Sequence, residues 1–174
     1  HLATDELEAR MATGQASALM IIDVDEFKHV NDSHGHVVGD KLLCEVARRL
    51  REAIPADAIT ARLGGDEFVV LAGYSGTDEA ASAIAEAIRA AFGPAFEFDQ
   101  LILNVNASIG LATAERSDIA LEDLMTKADL ALYAAKGEGK GRAQLFHAQM
   151  DVDYHYRQRL KNDLRGAIAQ NQLS

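Results

Sequence analysis

Thr60-Ala61-Arg62-Leu63-Gly64-Gly65-Asp66-Glu67-Phe68-Val69-Val70-Leu71 is the stretch that decides the fold. Thr60 to Leu63 and Phe68 to Leu71 read as two short strands, and Gly64-Gly65-Asp66-Glu67 as the turn of a β-hairpin between them. Glycine suits a tight turn because it tolerates φ > 0, and its missing side chain lets another group approach the backbone. A turn has no use for two adjacent carboxylates, which repel each other. Asp66 and Glu67 therefore point to something cationic against the turn.

A second acidic cluster narrows the choice of cation. Ser17-Ala18-Leu19-Met20-Ile21-Ile22 is an apolar run of the kind that forms a buried strand, and it ends in Asp23-Val24-Asp25. Alternation puts Asp23 and Asp25 on one face and Val24 on the other. Carboxylates at a strand end, facing a hairpin with two more, suit a hard divalent cation, Mg²⁺ foremost, which takes oxygen ligands and shares them with substrate phosphates. Either cluster alone reads equally well as a solvated acidic loop. Two of them, each following an apolar strand, do not.

The chain has 174 residues, the size of one domain with its own core. A formal net charge of −10 argues against binding a nucleic acid polymer through a broad basic surface, but leaves room for a small phosphorylated ligand held by a few lysines and a metal. The one cysteine, Cys44, lies among Leu42, Leu43 and Val46 in a helical pattern, so buried packing is expected. No disulfide can form within the chain, which fits a reducing, cytoplasmic setting. No apolar run approaches the roughly 20 residues of a membrane helix. The domain is expected to make no membrane contact, although segments outside this stretch could anchor the parent protein.

Helix and strand patterns alternate. Leu2 to Met11 reads as the end of a helix, Ser17 to Val24 as the first strand, and Val38 to Ala53 as an amphipathic helix with its arginines opposite the apolar face, closed by Pro55. After the hairpin come an alanine-rich helix from Thr77, its N-cap, to Phe92, and a mostly extended segment from Phe96 to Ala114. A helix from Leu121 to Lys136, the loop Gly137 to Gly141 and a strand from Ala143 to Phe146 follow. This order implies an α+β domain whose central, largely antiparallel sheet is flanked by helices. Residues 1–150 form that domain, and the charged stretch 151–174 reads as a connecting helix.

Taken together, Asp23-Val24-Asp25-Glu26-Phe27-Lys28, Asn31-Asp32, Gly35-His36, Gly39-Asp40, Leu63-Gly64-Gly65-Asp66-Glu67-Phe68 and the segment from Lys127 to Lys136 resemble the GGDEF family of diguanylate cyclases. The resemblance runs from about residue 15 to 146. It implies a palm-like nucleotidyl cyclase fold, two Mg²⁺ per active site (with Mn²⁺ as a possible substitute), and a homodimer that condenses two GTP into cyclic di-GMP with release of pyrophosphate. The family's metal ligands fall on Asp23, the Val24 carbonyl and Asp66. The acceptor for the 3′-hydroxyl proton falls on Glu67 or Asp66. A metal-bound carboxylate is the weaker base, which favours Glu67. Gly65 and its neighbour Gly64 leave room for the nucleotide. Guanine recognition falls on Asn31 and Asp40, with His36 close by. A carboxylate accepts from guanine's N1–H and its exocyclic amine, donors that adenine does not present together. Backbone N–H groups around Glu26 and Phe27, with the Lys28 and Lys136 side chains, meet the phosphates. Taken singly, either lysine reads as a solvated surface charge. His34 beside His36 makes no zinc site, since no cysteine or third histidine stands at ligand spacing.

The sequence departs from the family pattern in three places. The N-terminal signature, roughly Asp-x-Leu-Thr-Gly-Leu-x-Asn-Arg, is missing. Pro55 and Ala58 occupy the positions of the upstream Arg-x-x-Asp product site, so no feedback inhibition is expected there. Lys140 replaces a phosphate-binding arginine, which keeps the charge but loses the bidentate geometry. The stretch from Arg157 to Ile168 resembles the lead-in helix of EAL phosphodiesterase domains, implying such a domain downstream and a sensory domain upstream. The alternative function is a GTP-binding regulatory domain that turns GTP over poorly and controls that neighbour.

Overall fold

In the computed structural model, which describes residues 2–13, 15–115 and 119–169, Ser17–Val24 forms β1, and all eight of its residues are buried. A strand covered on both faces reads as an unbroken apolar run rather than an alternation. β1 pairs antiparallel with Glu67–Gly73 (β3) on one side and with Ala107–Ala114 (β6) on the other. Ile59–Gly64 (β2) lies outside β3, and Ala143–Leu145 (β7) runs parallel to β6, so the order is β2-β3-β1-β6-β7.

Alternation along β1 divides the interior into two cores. Met20, Ile22 and Val24 face His36–Ala53 (α3) and Asp78–Ala90 (α4), packing against Leu42, Val46 and Ile88. Leu19 and Ile21 face Leu2–Met11 (α1) and Leu121–Gly137 (α5), packing against Leu7, Leu124 and Leu132. α5 lies directly on β6 at Gly110, where an added Cβ would fall 2.0 Å from the Ala128 carbonyl and 2.3 Å from the Leu132 nitrogen. The expected α+β architecture, a largely antiparallel sheet between helices, is the one observed.

Several local expectations are corrected. The segment 96–114 is not one extended run: Phe96–Phe98 (β4) and Leu101–Leu103 (β5) form a separate two-stranded ribbon that turns at Asp99 (φ 54°), and β6 starts only at Ala107. Apolar alternation runs on from Leu101 to Ile109, which hides the break between β5 and β6, whereas the polar pair Asp99-Gln100 and the change of phase from Phe98 to Leu101 mark the ribbon's turn. Phe27–His34, to which the sequence pattern assigns no element, is a helix (α2), and Gly35 (φ 83°) joins it to α3, which begins at His36 rather than Val38. Gly64 pairs with Glu67, so the hairpin turn shrinks to Gly65-Asp66, with a register shift between Arg62 and Gly64. Cys44 is exposed, not buried. Successive helical residues are rotated by about 100°, which carries Cys44 off the stripe made by Gly39, Leu42, Leu43, Val46 and Leu50. Arg49, expected opposite the apolar face, instead sets its guanidinium 3.8 Å over the Phe96 ring.

Ala148–Ala169 (α6) packs on α5, where Tyr154 and Tyr133 form an edge-to-face pair at 5.2 Å, and Met150 near its start is buried. Among the described residues, no helix is long and apolar enough to cross a membrane.

Candidate active site

β1 ends against the tip of the hairpin. The Val24 N–H donates to the Asp66 carbonyl at 3.2 Å, and Asp23 stands opposite Glu67 in β3 and Ser108 in β6. By the alternation that sends Leu19 and Ile21 toward α5, Asp23 and Glu67 share the α5 side of the sheet. Lys136, in the last turn of α5, meets Asp23 there at 2.7 Å.

Burial pushes the Asp23 carboxyl up. The Lys136 hydrogen bond and charge pull it down, the charges of Asp66 and Asp25 push it up again, and the net position is above the ordinary value. Glu67 is also raised, by burial first and by the Asp23 charge next. Lys136 opposes this, while Asp129 and Asp66 add to it. Carboxyls pushed up together at the end of a strand mark a site held ready for positive charge. In an extended strand a residue's N–H and C=O point to the same neighbour, so the Val24 carbonyl also faces the hairpin. Two carboxylates and a main-chain carbonyl form the partial oxygen set that Mg²⁺ takes when phosphates and water complete its shell. Among the described residues no cluster of three or more acidic, histidine or cysteine side chains would hold an ion unaided. The residues fit a metal shared with a phosphorylated ligand.

The residues expected to meet the phosphates lie around the same strand end. Glu26 is the N-cap of α2 at φ 60°, but its side chain makes no cap hydrogen bond. The first amides of α2, at Phe27 and Lys28, therefore carry the positive end of a helix with no carboxylate folded over them. Glu26 instead pairs with Lys140. Asp25 is buried and accepts from Ser108 Oγ at 2.8 Å and from the Gly141 N–H at 2.9 Å.

The residues expected to take the base divide into two groups. Asn31, on α2, is packed against α3, and its Oδ1 is buried beside Gly39 without a hydrogen-bond partner. An orphaned acceptor of this kind costs about 1–3 kcal/mol and needs a reason, such as a ligand site. Asp40 is exposed on α3 and lines a groove of about 530 Å³ with Leu43, Cys44, Arg51, Arg62 and Phe68. Asn31 and His36 are not in its wall. Arg62 braces the hairpin by donating twice to the Gly65 carbonyl, at 2.9 and 2.6 Å. Pro55 and Ala58 line a separate hollow of about 490 Å³.

Sequence reasoning thus located Asp23, Val24, Gly65, Asp66, Glu67 and Lys136 at one strand end, and Phe27, Lys28 and Lys140 beside it. It missed the Arg62 brace, the Glu26–Lys140 pair, the Asp25–Ser108–Gly141 bonds and the influence of Asp129 on Glu67. Alternation put Asp25 beside Asp23 among the carboxylates expected to face a cation, whereas its oxygens are taken up by Ser108 and Gly141, and nothing in the sequence singled out Ser108.

A family profile described as "Diguanylate cyclase, GGDEF domain" matches residues 1–142. The chain is 40% identical over 172 residues to an uncharacterized signaling protein of Caulobacter vibrioides, covering 98% of this chain and 21% of that one. It is 36% identical over 156 residues to the bifunctional diguanylate cyclase/cyclic di-GMP phosphodiesterase MucR of Pseudomonas aeruginosa, covering 90% of this chain and 23% of that one. The chain therefore spans about a fifth of the length of these relatives. Among solved structures, the isolated GGDEF domain of TpbB (YfiN) from Pseudomonas aeruginosa superposes with a TM-score of 0.74 at 30% identity, covering 88% of this chain and 87% of that one. On motif order, sheet topology and these matches, the chain belongs to the GGDEF domain family of diguanylate cyclases.

Proposed function

We propose that this domain condenses two GTP into cyclic di-GMP and two pyrophosphates, working as a two-fold homodimer. The observation that carries the reading is the convergence of Asp23, Asp66, Glu67 and Lys136 where β1 meets the hairpin. Asp40 and Asn31, with His36 beside them, take the guanine. Lys28, Lys136, Lys140 and the first amides of α2 take the triphosphate, and Gly65 leaves room for it against the turn. Asp23, the Val24 carbonyl and Asp66 would hold Mg²⁺ (Mn²⁺ as substitute), which when bound offsets the phosphate charge and orients the triphosphate. Glu67 removes the proton of the 3′-hydroxyl as that oxygen bonds to the α-phosphorus of the GTP on the partner subunit. The bond from that phosphorus to pyrophosphate breaks in the same displacement. Its raised carboxyl makes Glu67 a better base than one committed to a cation. One site holds one nucleotide, so the second must come from a symmetry-related copy. With Pro55 and Ala58 in the hollow beside α3, cyclic di-GMP exerts no feedback there. The same reading places the domain in the bacterial cytoplasm, between an upstream sensory domain and a downstream EAL domain.

The second reading, a GTP-binding regulator of an EAL neighbour, is favoured by one observation. Two of the lysines facing the phosphates are already engaged, Lys136 by Asp23 and Lys140 by Glu26. Pyrophosphate release from GTP and Mg²⁺ separates the two readings. The cyclase predicts two pyrophosphates per cyclic di-GMP. GTP uptake without release supports the regulator.

A further inference from the structure

Asp25 is 7% exposed, and its charge favours the Lys140 ammonium without a direct ion pair between them. Burying a carboxylate is unfavourable unless its oxygens find hydrogen-bond donors. Asp25 also sits two residues from Asp23, whose carboxyl its charge pushes upward. The carboxylate oxygens of Asp25 therefore need donors. What it grips is the loop after α5: Oδ2 accepts from the Gly141 N–H at 2.9 Å, and Oδ1 from the fully buried Ser108 Oγ at 2.8 Å, which also lies 3.3 Å from the Gly141 nitrogen. The Asp25 N–H is itself fixed to the Asn106 carbonyl at 2.9 Å, so the gripping group is anchored to the segment that leads into β6.

The gripped loop is bent against ordinary preference. Gly139, Lys140 and Gly141 have φ of 117°, 60° and 62° in succession. A lysine takes up the left-handed region when its surroundings impose it. The Lys140 side chain then reaches Glu26, the residue after Asp25. Two consecutive carboxylates at the end of β1 thus hold one loop, Asp25 by its main chain and Glu26 by its side-chain tip.

We infer that Asp25, with Ser108, is a positioning residue for Lys140: its bonds to Gly141 set the loop so that the Lys140 ammonium stands at the mouth of the site formed by Asp23, Asp66 and Lys136. The inference rests on the cyclase reading for its nucleotide, not for its geometry. A group that only supports the fold would weaken nucleotide binding whether or not Lys140 is present. A group that acts through Lys140 has nothing left to position once Lys140 is gone.

A double-mutant cycle on the intact protein separates these roles. The probe is 3′-deoxy-GTP with Mg²⁺, which lacks the attacking hydroxyl, titrated calorimetrically. Asp25→Ala is expected to weaken binding roughly tenfold, and Lys140→Ala by a similar factor. Asp25→Ala/Lys140→Ala should bind no worse than Lys140→Ala alone. Asp25→Asn, which accepts from Gly141 and donates to Ser108 Oγ, should stay within about threefold of wild type. Should Asp25→Ala fail to fold, Ser108→Ala carries the same expectation in smaller measure. Hydrogen exchange of the Gly141 amide gives a readout without nucleotide: slow in wild type, fast in Asp25→Ala or Ser108→Ala. Losses that add in the double mutant overturn the positioning role, and so does a Gly141 amide that the substitutions leave equally protected. A wild type that takes up no nucleotide overturns the cyclase reading instead, and the exchange measurement still decides whether Asp25 holds the loop.

Discussion

Burial and the neighbouring Asp23 charge hold the Glu67 carboxyl above its ordinary range, so its ionised form is disfavoured in the folded chain. With the folded value above the unfolded 4.5, destabilisation enters as pH rises through about 4.5 and is complete above the folded value. Glu67→Gln should therefore raise Tm at about pH 7 in metal-free buffer while abolishing cyclic di-GMP formation, and the gain should vanish below about pH 4. Thermal scans at the two pH values check this, and a lower Tm at neutral pH contradicts it. At this scale the sequence showed which carboxylates meet, because Asp23 ends an apolar strand and Asp66 and Glu67 sit in a glycine turn. It did not show who holds whom. Ser108 and Gly141 lie 83 and 116 residues from Asp25, and Lys140 lies 114 from Glu26. Local patterning carries no trace of partners so remote.

Between elements, two contacts set how the helices sit on the sheet. At Gly110 the α5 backbone comes too close for any side chain, and the same helix carries Lys136 to Asp23. Gly110→Ala should lower stability by about 3 kcal/mol or more in urea unfolding, because the obstacle is helix backbone rather than a movable side chain. Arg49 joins α3 to the segment after α4. Its side chain is 13% exposed, lies 3.8 Å over the Phe96 ring, and donates to the carbonyls of Ala91, Pro94 and Ala95. Arg49→Ala should cost about 3 kcal/mol, leaving three carbonyls without their donor, and an unfolding midpoint equal to wild type would refute the account of that tie. Legibility varied with the strength of local signals. α4 was readable because Thr77 caps it, accepting from the Ala80 N–H at 3.2 Å. α2 was not, since it buries only Val30 and has no side-chain cap. The break between β5 and β6 escaped notice because alternation from Leu101 to Ile109 runs across it, while the phase change at Asp99-Gln100 did mark the ribbon's turn.

In the whole molecule, a sheet buried on both faces brings four sequence-distant segments to one end of β1: the strand end, the hairpin, the last turn of α5 and the loop after it. The net charge of −10 leaves that end dependent on cations, and Lys136 already occupies part of it. A ligand that binds only the folded chain stabilises it by mass action, so GTP with Mg²⁺ should raise Tm and GTP with chelator should raise it less. Equal shifts would remove the metal from the account. The fold class followed from element order alone. The family followed from motif order, which depends on residue identity at fixed spacing and so survives errors in element boundaries.

The most direct measurement is chromatography of products from GTP and Mg²⁺ incubated with the wild-type protein, Asp66→Asn and Glu67→Gln. The account predicts cyclic di-GMP from wild type and none from either variant. Cyclic di-GMP formed at the wild-type rate by Glu67→Gln and Asp66→Asn would contradict it, because the chemistry would then lie away from the hairpin.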